Sequence, residues 1–216
     1  MRAVDWLLDL LYPPRCMFCR KLIAAKEDGV CRDCRTRIPR VPSGDLRRDI
    51  KHISFCVSPW YYEGDVRQAL LRYKFRGVTA YGRIFAGFMA KSIDEIHFSC
   101  DIITWVPLSR RRLRARGYDQ ARILAEELAG KLGVPCVKLL EKQVDTKPQS
   151  SLERAEQRRE NARGAYRCPD RTAIAGKSIL LVDDIVTTGS TLSECARVLK
   201  EAGCREIIAA TAATRQ

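Results

Sequence analysis

Residues 178–192 constrain the fold of this chain more than any other segment. An apolar run, Ser178-Ile-Leu-Leu-Val182, is followed at once by Asp183 and Asp184, and then by the loop Thr187-Thr-Gly-Ser-Thr191. A short apolar run bounded by such residues is typical of a buried strand, and small hydroxyl residues with glycine typically precede a helix. The pattern predicts a strand that delivers two adjacent carboxylates to its carboxyl end, followed by a loop and a helix.

The second half of the chain continues this alternation of strand and helix patterns. We predict strands at residues 53–62, 101–106, 137–140, 178–182 and 206–213, and helices at 65–75, 82–96, 119–132, 152–160 and 191–202. Short apolar runs separated by helices favour a mostly parallel sheet with helices on both faces. We therefore expect an α/β domain at residues 51–216. Residues 1–50 form a separate small module, with a helix at 3–12 and an aperiodic linker at 39–51.

The small module contains two CxxC pairs, Cys16-x2-Cys19 and Cys31-x2-Cys34. Two such knuckles can supply the tetrahedral set of four thiolates that zinc prefers, with no position left open for water, so we predict a structural Zn²⁺ site. Two redox-active pairs and an iron–sulfur cluster, which also uses four cysteines, are the alternatives. Nearby arginines and lysines would offset the negative charge of four thiolates, which supports a metal without choosing it.

Charge and cysteine usage limit the compartment and the partners. The 216 residues carry a formal net charge of +13, which favours anionic partners such as phosphates or nucleic acid. The remaining six cysteines are dispersed, a pattern typical of a reducing compartment, and we expect a cytoplasmic protein. No run of 18 apolar residues is present, and Asp5 and Asp9 interrupt the first apolar stretch, so we expect neither membrane insertion nor a secretory signal.

The acidic pair and the hydroxyl loop together indicate a particular kind of ligand. Backbone N–H groups, hydroxyls and the helix dipole make a cradle for an anion, whereas two carboxylates beside it would repel a bare phosphate. A ligand that satisfies both halves carries a phosphate at one end and vicinal hydroxyls, or a hydrated cation, about one sugar away. Ribose 5-phosphate groups fit this description. The chain lacks both the Gly-x4-Gly-Lys-[Ser/Thr] and the Gly-x-Gly-x-x-Gly signatures, so a P-loop ATPase and a dinucleotide fold are disfavoured.

The segment Val-Asp-Asp-x-x-Thr-Thr-Gly-x-Thr resembles the phosphoribosyl pyrophosphate (PRPP) motif of type I phosphoribosyltransferases. With four cysteines ahead of it, the whole chain resembles the ComF family of competence proteins. Further segments carry the resemblance: Tyr61-Tyr62-x-Gly64, Tyr73-Lys74-Phe75-x-Gly77, Val106-Pro107-Leu108, Arg116-Gly117-Tyr118-Asp119-Gln120 and Gln149-x2-Leu152-x4-Gln157-Arg158-x2-Asn161.

The resemblance implies a role for each motif. Asp183 and Asp184 would act in catalysis and hold the ribose hydroxyls with hydrated Mg²⁺, and the hydroxyl loop would hold the 5-phosphate. The pyrophosphate would lie against residues 107–110. The implied PRPP-binding residues are Asp183, Asp184, Thr187, Thr188, Gly189, Ser190, Thr191, Pro107, Leu108, Ser109 and Arg110. The polar stretch at 144–163 resembles the flap that closes over PRPP and would exclude water.

Six arginines and one acid lie between residues 110 and 122. Forked guanidinium donors suit pyrophosphate, but a solvated basic helix or a nucleic-acid contact remains open for Arg114 and Arg116. Lys74 and Phe75 lie shortly before Gly77. Two interpretations stay open for them: they contact a ligand, or they form the ordinary end of a helix.

Two functions therefore remain open. The chain could act in DNA uptake during natural transformation, as the resemblance implies, binding PRPP and contacting single-stranded DNA and a helicase-like partner. Alternatively, it could be an active enzyme that joins ribose 5-phosphate from PRPP to a nucleobase or amine. No segment identifies an acceptor.

Overall fold

The computed structural model describes residues 13–24, 27–42, 45–47, 49–144 and 164–215. The helices predicted at 3–12 and 152–160, and the flap predicted at 144–163 apart from Val144, lie outside these residues.

A parallel four-stranded sheet forms the centre of the second half of the chain. Its strands are β1 (Cys56–Val57), β2 (Ile102–Trp105), β5 (Ser178–Val186) and β6 (Glu206–Thr214), in the order β1-β6-β5-β2. Strands β3 (Glu141–Lys142) and β4 (Tyr166–Arg167) form a separate antiparallel pair. The buried apolar residues of β5 and β6 explain their central places, since a strand covered on both faces must be apolar on both.

Helices cover both faces of the sheet. On one face, α2 (Gly64–Phe75), α3 (Tyr81–Asp94) and α5 (Gln120–Leu132) pack on Leu180 and Val182. On the other, α6 (Ser190–Glu201) packs on Ile179 and Leu181. The arrangement confirms the predicted α/β fold with helices on both faces.

The small N-terminal module packs directly on the first of these cores. It contains the short helix α1 (Arg32–Arg37), and its Met17 and Phe18 are buried together with residues of α2 and α3. The Phe18 ring meets Trp60 edge-on, with the ring centroids 5.3 Å apart. The module is therefore seated against the larger domain in this structure.

Three strand predictions differ from the structure. Of the strand predicted at residues 53–62, only Cys56–Val57 form β1. Residues 137–140 are not a strand: Val137 N donates to Ile103 O, but Leu139 N donates to the Thr104 hydroxyl, so a side chain replaces the backbone ladder. Strand β5 is longer than predicted and runs through both aspartates to Val186, because the ladder to β6 continues as far as Thr214.

The arginine-rich segment forms a helix, α4 (Arg110–Arg116), that apolar periodicity did not predict. The capping contacts at the two ends of α4 explain why this segment is helical. The Ser109 hydroxyl accepts a hydrogen bond from Arg112 N at the amino end, and Gly117 ends the helix with a left-handed φ of 83°.

Candidate functional site

The four cysteines of the CxxC pairs meet at one point. The sulfurs of Cys16, Cys19, Cys31 and Cys34 all lie within 4.8 Å of one another, and those of Cys19 and Cys31 are 3.7 Å apart. Tetrahedral thiolates at the Zn–S distance of ~2.3 Å lie about 3.8 Å from one another. The donor set and its spacing therefore fit a structural zinc ion.

Hydrogen-bond donors and burial have opposite effects on the thiols of this cluster. Burial acts to raise the pKa of Cys16, but backbone N–H groups of Cys31, Cys19 and Phe18 outweigh it and lower the pKa to about 7. Arg37 also donates to Cys34 Sγ over 3.6 Å. Burial raises the pKa of Cys31 and of Cys34, the latter despite the contact with Arg37. Deprotonated sulfur is the form that binds a metal, so of these three thiols only Cys16 is predisposed to bind one before the metal arrives.

The two aspartates of β5 point to opposite faces of the sheet, because successive strand residues alternate. Asp184 is on the face covered by α2, α3 and α5, and it is only 4% exposed. Asp183 is partly exposed, and its Oδ1 accepts a hydrogen bond from Asp184 N over 2.8 Å. Although they are adjacent in sequence, the two carboxylates therefore have different surroundings.

A lysine that the sequence left unassigned reaches the acidic pair. Lys74, in the last turn of α2, places Nζ 2.6 Å from Asp184 Oδ2, and the two side chains are 18% and 5% exposed. The only sequence signal was its place in the Tyr73-Lys74-Phe75-x-Gly77 segment. Lys74 thus lies at the helix end and also forms an internal ion pair, while its contact with a ligand stays a prediction.

Burial shifts the pKa values of these groups in opposite directions. It raises the pKa of Asp183 to about 7, with the charge of Lys74 partly opposing the shift. It lowers the pKa of Lys74 to about 8, and the nearby charges of Arg116 and Arg112 lower it further. Desolvation disfavours the charged form of each group, which explains both directions.

The hydroxyl loop follows β5 and opens α6. Gly189 has a φ of 73°, and a Cβ there would lie 2.8 Å from the Ile50 side chain, so glycine is needed for both backbone and space. The Thr188 and Ser190 hydroxyls are 2.5 Å apart, and Arg47 donates to Thr187 O over 2.6 Å. The loop is therefore held in place by two residues of the predicted linker, Arg47 and Ile50.

The loop after β2 lies beside the acidic pair. Val106 N donates to Val182 O, so residues 107–110 begin next to Asp183 at the same edge of the sheet. Asp119 accepts from Leu108 N and also caps α5. Burial raises the pKa of Asp119, while the Leu108 N–H opposes that rise. One carboxylate thus links this loop to the helix behind it.

The arginines of α4 divide into two sets. Arg116 turns inward: it donates to the Gln120 amide, and its guanidinium lies 5.0 Å from the centre of the Phe75 ring. Burial lowers the pKa of Arg116. Arg110 and Arg114 instead line a cavity of about 440 Å³ beside Lys142. Arg116 therefore packs beside the lysine-bearing helix, whereas Arg110 and Arg114 face an open, cationic hollow.

The structure thus gathers the predicted site residues at one edge of the sheet: the acidic pair and hydroxyl loop follow β5, and residues 107–110 follow the neighbouring β2. A strand end carrying acids, a hydroxyl loop at a helix start and a neighbouring basic loop are features of a domain that binds sugar phosphates. The thiolate cluster is separate, on the module that packs against α2 and α3.

Comparison with known proteins identifies both parts. Residues 118–216 match the phosphoribosyl transferase domain, and residues 7–44 match the double zinc ribbon domain. The chain therefore has an α/β phosphoribosyltransferase-like domain with an N-terminal four-cysteine zinc ribbon.

Relatives of similar length narrow the assignment. Competence protein F of Haemophilus influenzae is 28% identical over an alignment 216 positions long. The alignment covers 89% of this chain and 93% of the relative. Competence protein ComFC of Bacillus subtilis is 29% identical over 182 residues, which cover 81% of this chain and 68% of the relative. Over most of its length the chain is therefore similar to the ComF/ComFC competence proteins.

Among solved structures, the glutamine PRPP amidotransferase of Bacillus subtilis, complexed with ADP and GMP, aligns with a TM-score of 0.47 and 20% identity, over 66% of this chain and 30% of that chain. Within the residues that the structure describes, no helix has the length and apolar character needed to cross a bilayer.

Proposed function

We propose that this chain binds PRPP at the carboxyl ends of β2 and β5. One observation carries the proposal: an acidic pair, a glycine-dependent hydroxyl loop at a helix start, and a loop leading into an arginine-rich helix adjoin at one edge of the sheet. The first part suits ribose hydroxyls, and the second suits a phosphate monoester. The third suits pyrophosphate, because guanidinium groups bind phosphate oxygens in pairs.

In this proposal each segment holds one part of the ligand. The loop from Thr187 to Thr191 holds the 5-phosphate through its hydroxyls and the free N–H groups of the first turn of α6. Residues 107–110 hold the pyrophosphate. Asp183 and Asp184 hold the ribose hydroxyls, and hydrated Mg²⁺ fits the same carboxylates because it prefers oxygen ligands and keeps several waters.

We further propose that the protein acts in DNA uptake during natural transformation, in the cytoplasm, in contact with single-stranded DNA and a helicase-like partner. The similarity to competence proteins supports the process, and the net charge of +13 supports a polyanionic ligand. None of the ten cysteines forms a disulfide in the structure, which suits a reducing compartment. Arg114 borders the open cationic hollow, outside the residues 107–110 proposed to hold the pyrophosphate, and so offers charge for a further anionic ligand.

An alternative is that the chain transfers ribose 5-phosphate from PRPP to a nucleobase or amine. The full set of PRPP-type segments favours it. Displacement of pyrophosphate at ribose C1 passes through a cation-like state, which the carboxylates would stabilise electrostatically. Pyrophosphate release, measured across a panel of bases and amines, decides between the two. Release that depends on an acceptor establishes the enzyme, whereas PRPP binding with no release by any acceptor favours the accessory role.

Thermal unfolding with candidate ligands tests the PRPP site. A ligand that binds only the native state raises Tm by mass action. At a free ligand concentration of 100 times Kd, the free energy of unfolding rises by about 2.7 kcal/mol. We expect PRPP with Mg²⁺ to raise Tm more than ribose 5-phosphate or pyrophosphate alone. The double variant Asp183→Asn/Asp184→Asn should lose most of that rise. An unchanged rise in the double variant, or no rise in the wild type, contradicts the proposed site.

A further inference from the structure

The ion pair of Lys74 and Asp184 lies inside the proposed PRPP site, yet it joins elements far apart in the chain. Lys74 belongs to α2, and Asp184 to the last part of β5. The 2.6 Å contact leaves both side chains largely shielded from water. An ammonium and a carboxylate withdrawn from water persist as charges only when each has a partner. The protein itself therefore provides a cation at one of the two acids.

A cation at this position has a direct consequence for an anionic ligand. PRPP carries a phosphate and a pyrophosphate, and two uncompensated carboxylates beside it would repel it. The compensating charge must come either from a metal ion in solution or from the protein. A lysine can supply this charge from the protein, since its ammonium is a compact point charge with three hydrogen-bond donors.

The other cations near Lys74 add to the same field. Arg112 and Arg116 of α4 lie close enough to act electrostatically on Lys74, and Arg116 is held inward against Phe75. Like charges gathered around a partly desolvated lysine disfavour the empty site and favour a site occupied by an anion. Two arginines of α4 thus add positive charge near Lys74, which itself contacts Asp184.

We propose that Lys74 is a positioning residue that supplies the positive charge at Asp184, so that PRPP binds with a reduced requirement for Mg²⁺. The proposal rests on the proposed function and adds the source of charge at the site. A metal ion would then assist mainly at Asp183, on the opposite face of the strand, where the carboxylate is partly exposed.

The test is calorimetric titration of PRPP into the full chain, in magnesium-depleted buffer and again with millimolar Mg²⁺. Depleted buffer is preferable to a chelator, which would remove zinc from the ribbon. Lys74→Gln removes the charge, and Lys74→Arg keeps it. The matched control is Lys177→Gln, an exposed lysine just before the amino end of β5.

We expect the wild type to bind PRPP without Mg²⁺. Lys74→Gln leaves the Asp184 carboxylate uncompensated beside an anionic ligand, so it should weaken metal-free binding by roughly 30-fold, the scale for a missing charge partner in a binding site. Added Mg²⁺ should restore most of the loss. Lys74→Arg should keep metal-free binding, and Lys177→Gln should match the wild type.

Two results overturn the inference while leaving the PRPP site intact. One is wild-type binding that is detectable only with Mg²⁺, a result that needs no variant to fold. The other is an equal loss in Lys74→Gln with and without Mg²⁺. If the wild type binds no PRPP under either condition, the proposed function itself fails.

Discussion

Lys74 Nζ lies 2.6 Å from Asp184 Oδ2, although 109 residues separate the two in the sequence. The contact joins the end of α2 to the acidic part of β5, and so connects the α2 face of the sheet to the edge where the hydroxyl loop begins. Asp184 therefore has two roles to reconcile, one as partner of a shielded lysine and one as part of a ligand site.

The first prediction concerns the stability of this pair. Asp184→Asn leaves the Lys74 ammonium without its counter-ion in a shielded position, and should lower the free energy of unfolding by about 3 kcal/mol. Asp183→Asn should cost less, because Asp183 is less buried than Asp184 and its loss does not remove the 2.6 Å contact of Lys74 with Asp184. Urea unfolding of the two adjacent variants gives the comparison. Equal stability of both variants would show that the ion pair contributes nothing in solution.

The second prediction concerns pH. Burial raises the pKa of Asp183 to about 7, above its unfolded value near 3.8. The folded state then holds the proton more tightly, so this group's contribution is full at low pH and is lost as pH rises toward 7. Tm of the wild type minus Tm of Asp183→Asn should fall between pH 5 and pH 7.5. Taking the difference cancels other titrating groups, and a difference that rises or stays flat contradicts the shift.

The third prediction concerns the zinc ribbon. Cys31→Ser removes one of four ligands, and should lower both the zinc content and Tm, because the ribbon shares a core with α2 and α3. Cys100→Ser is the control, since Cys100 is outside the cluster and should leave zinc at about one ion per chain. Elemental analysis and melting curves check both variants. Stoichiometric iron, or full stability without metal, would remove the zinc assignment.

The fourth prediction concerns Gly189 in the hydroxyl loop. Gly189→Ala forces an L-residue into a left-handed φ and brings a Cβ to 2.8 Å from Ile50. Gly176 has a similar φ of +70° and open space around it, so Gly176→Ala isolates the backbone cost of about 1–2 kcal/mol. Gly189→Ala should cost about 1 kcal/mol more, from overpacking, and should weaken PRPP binding as well. Identical effects of the two variants would contradict the contact with Ile50.

The fifth prediction separates DNA contact from PRPP binding. Fluorescence anisotropy of a labelled oligonucleotide should show affinity falling steeply with salt, with each phosphate contact adding about 0.7 to the log–log slope. Arg114→Gln should reduce that slope by about one contact and leave PRPP affinity unchanged. Arg116→Gln should weaken PRPP binding, since Arg116 packs on Phe75 beside Lys74. Saturating PRPP should compete only partly, and absence of DNA binding at ~50 mM salt contradicts the idea.

Much of the fold could be predicted because local pattern and tertiary packing agree in the central elements. The apolar run at 178–182 became the most buried part of β5, and the predicted helix at 191–202 differs from α6 by one residue at each end. The strand predicted at residues 137–140 was wrong. These residues have the composition of a strand, but Leu139 N donates to the Thr104 hydroxyl and not to a backbone carbonyl of a neighbouring strand.

The segments that form the candidate site could be predicted from the sequence, but the ion pair between Lys74 and Asp184 could not. Adjacent acids in an extended strand must alternate in direction, yet the sequence pattern alone treated Asp183 and Asp184 as one group. The partner of Asp184 depends on how α2 packs against β5, which no local pattern records. Arg47 and Ile50 fell in an aperiodic stretch predicted as linker, although they contact the hydroxyl loop.

A crystal structure of the protein with PRPP and Mg²⁺ tests the central claim most directly. We expect the 5-phosphate to lie against the loop from Thr187 to Thr191 and the ribose to lie beside Asp183. The pyrophosphate should contact residues 107–110. PRPP bound elsewhere on the molecule, or a hydroxyl loop that remains empty at saturating PRPP, would contradict it.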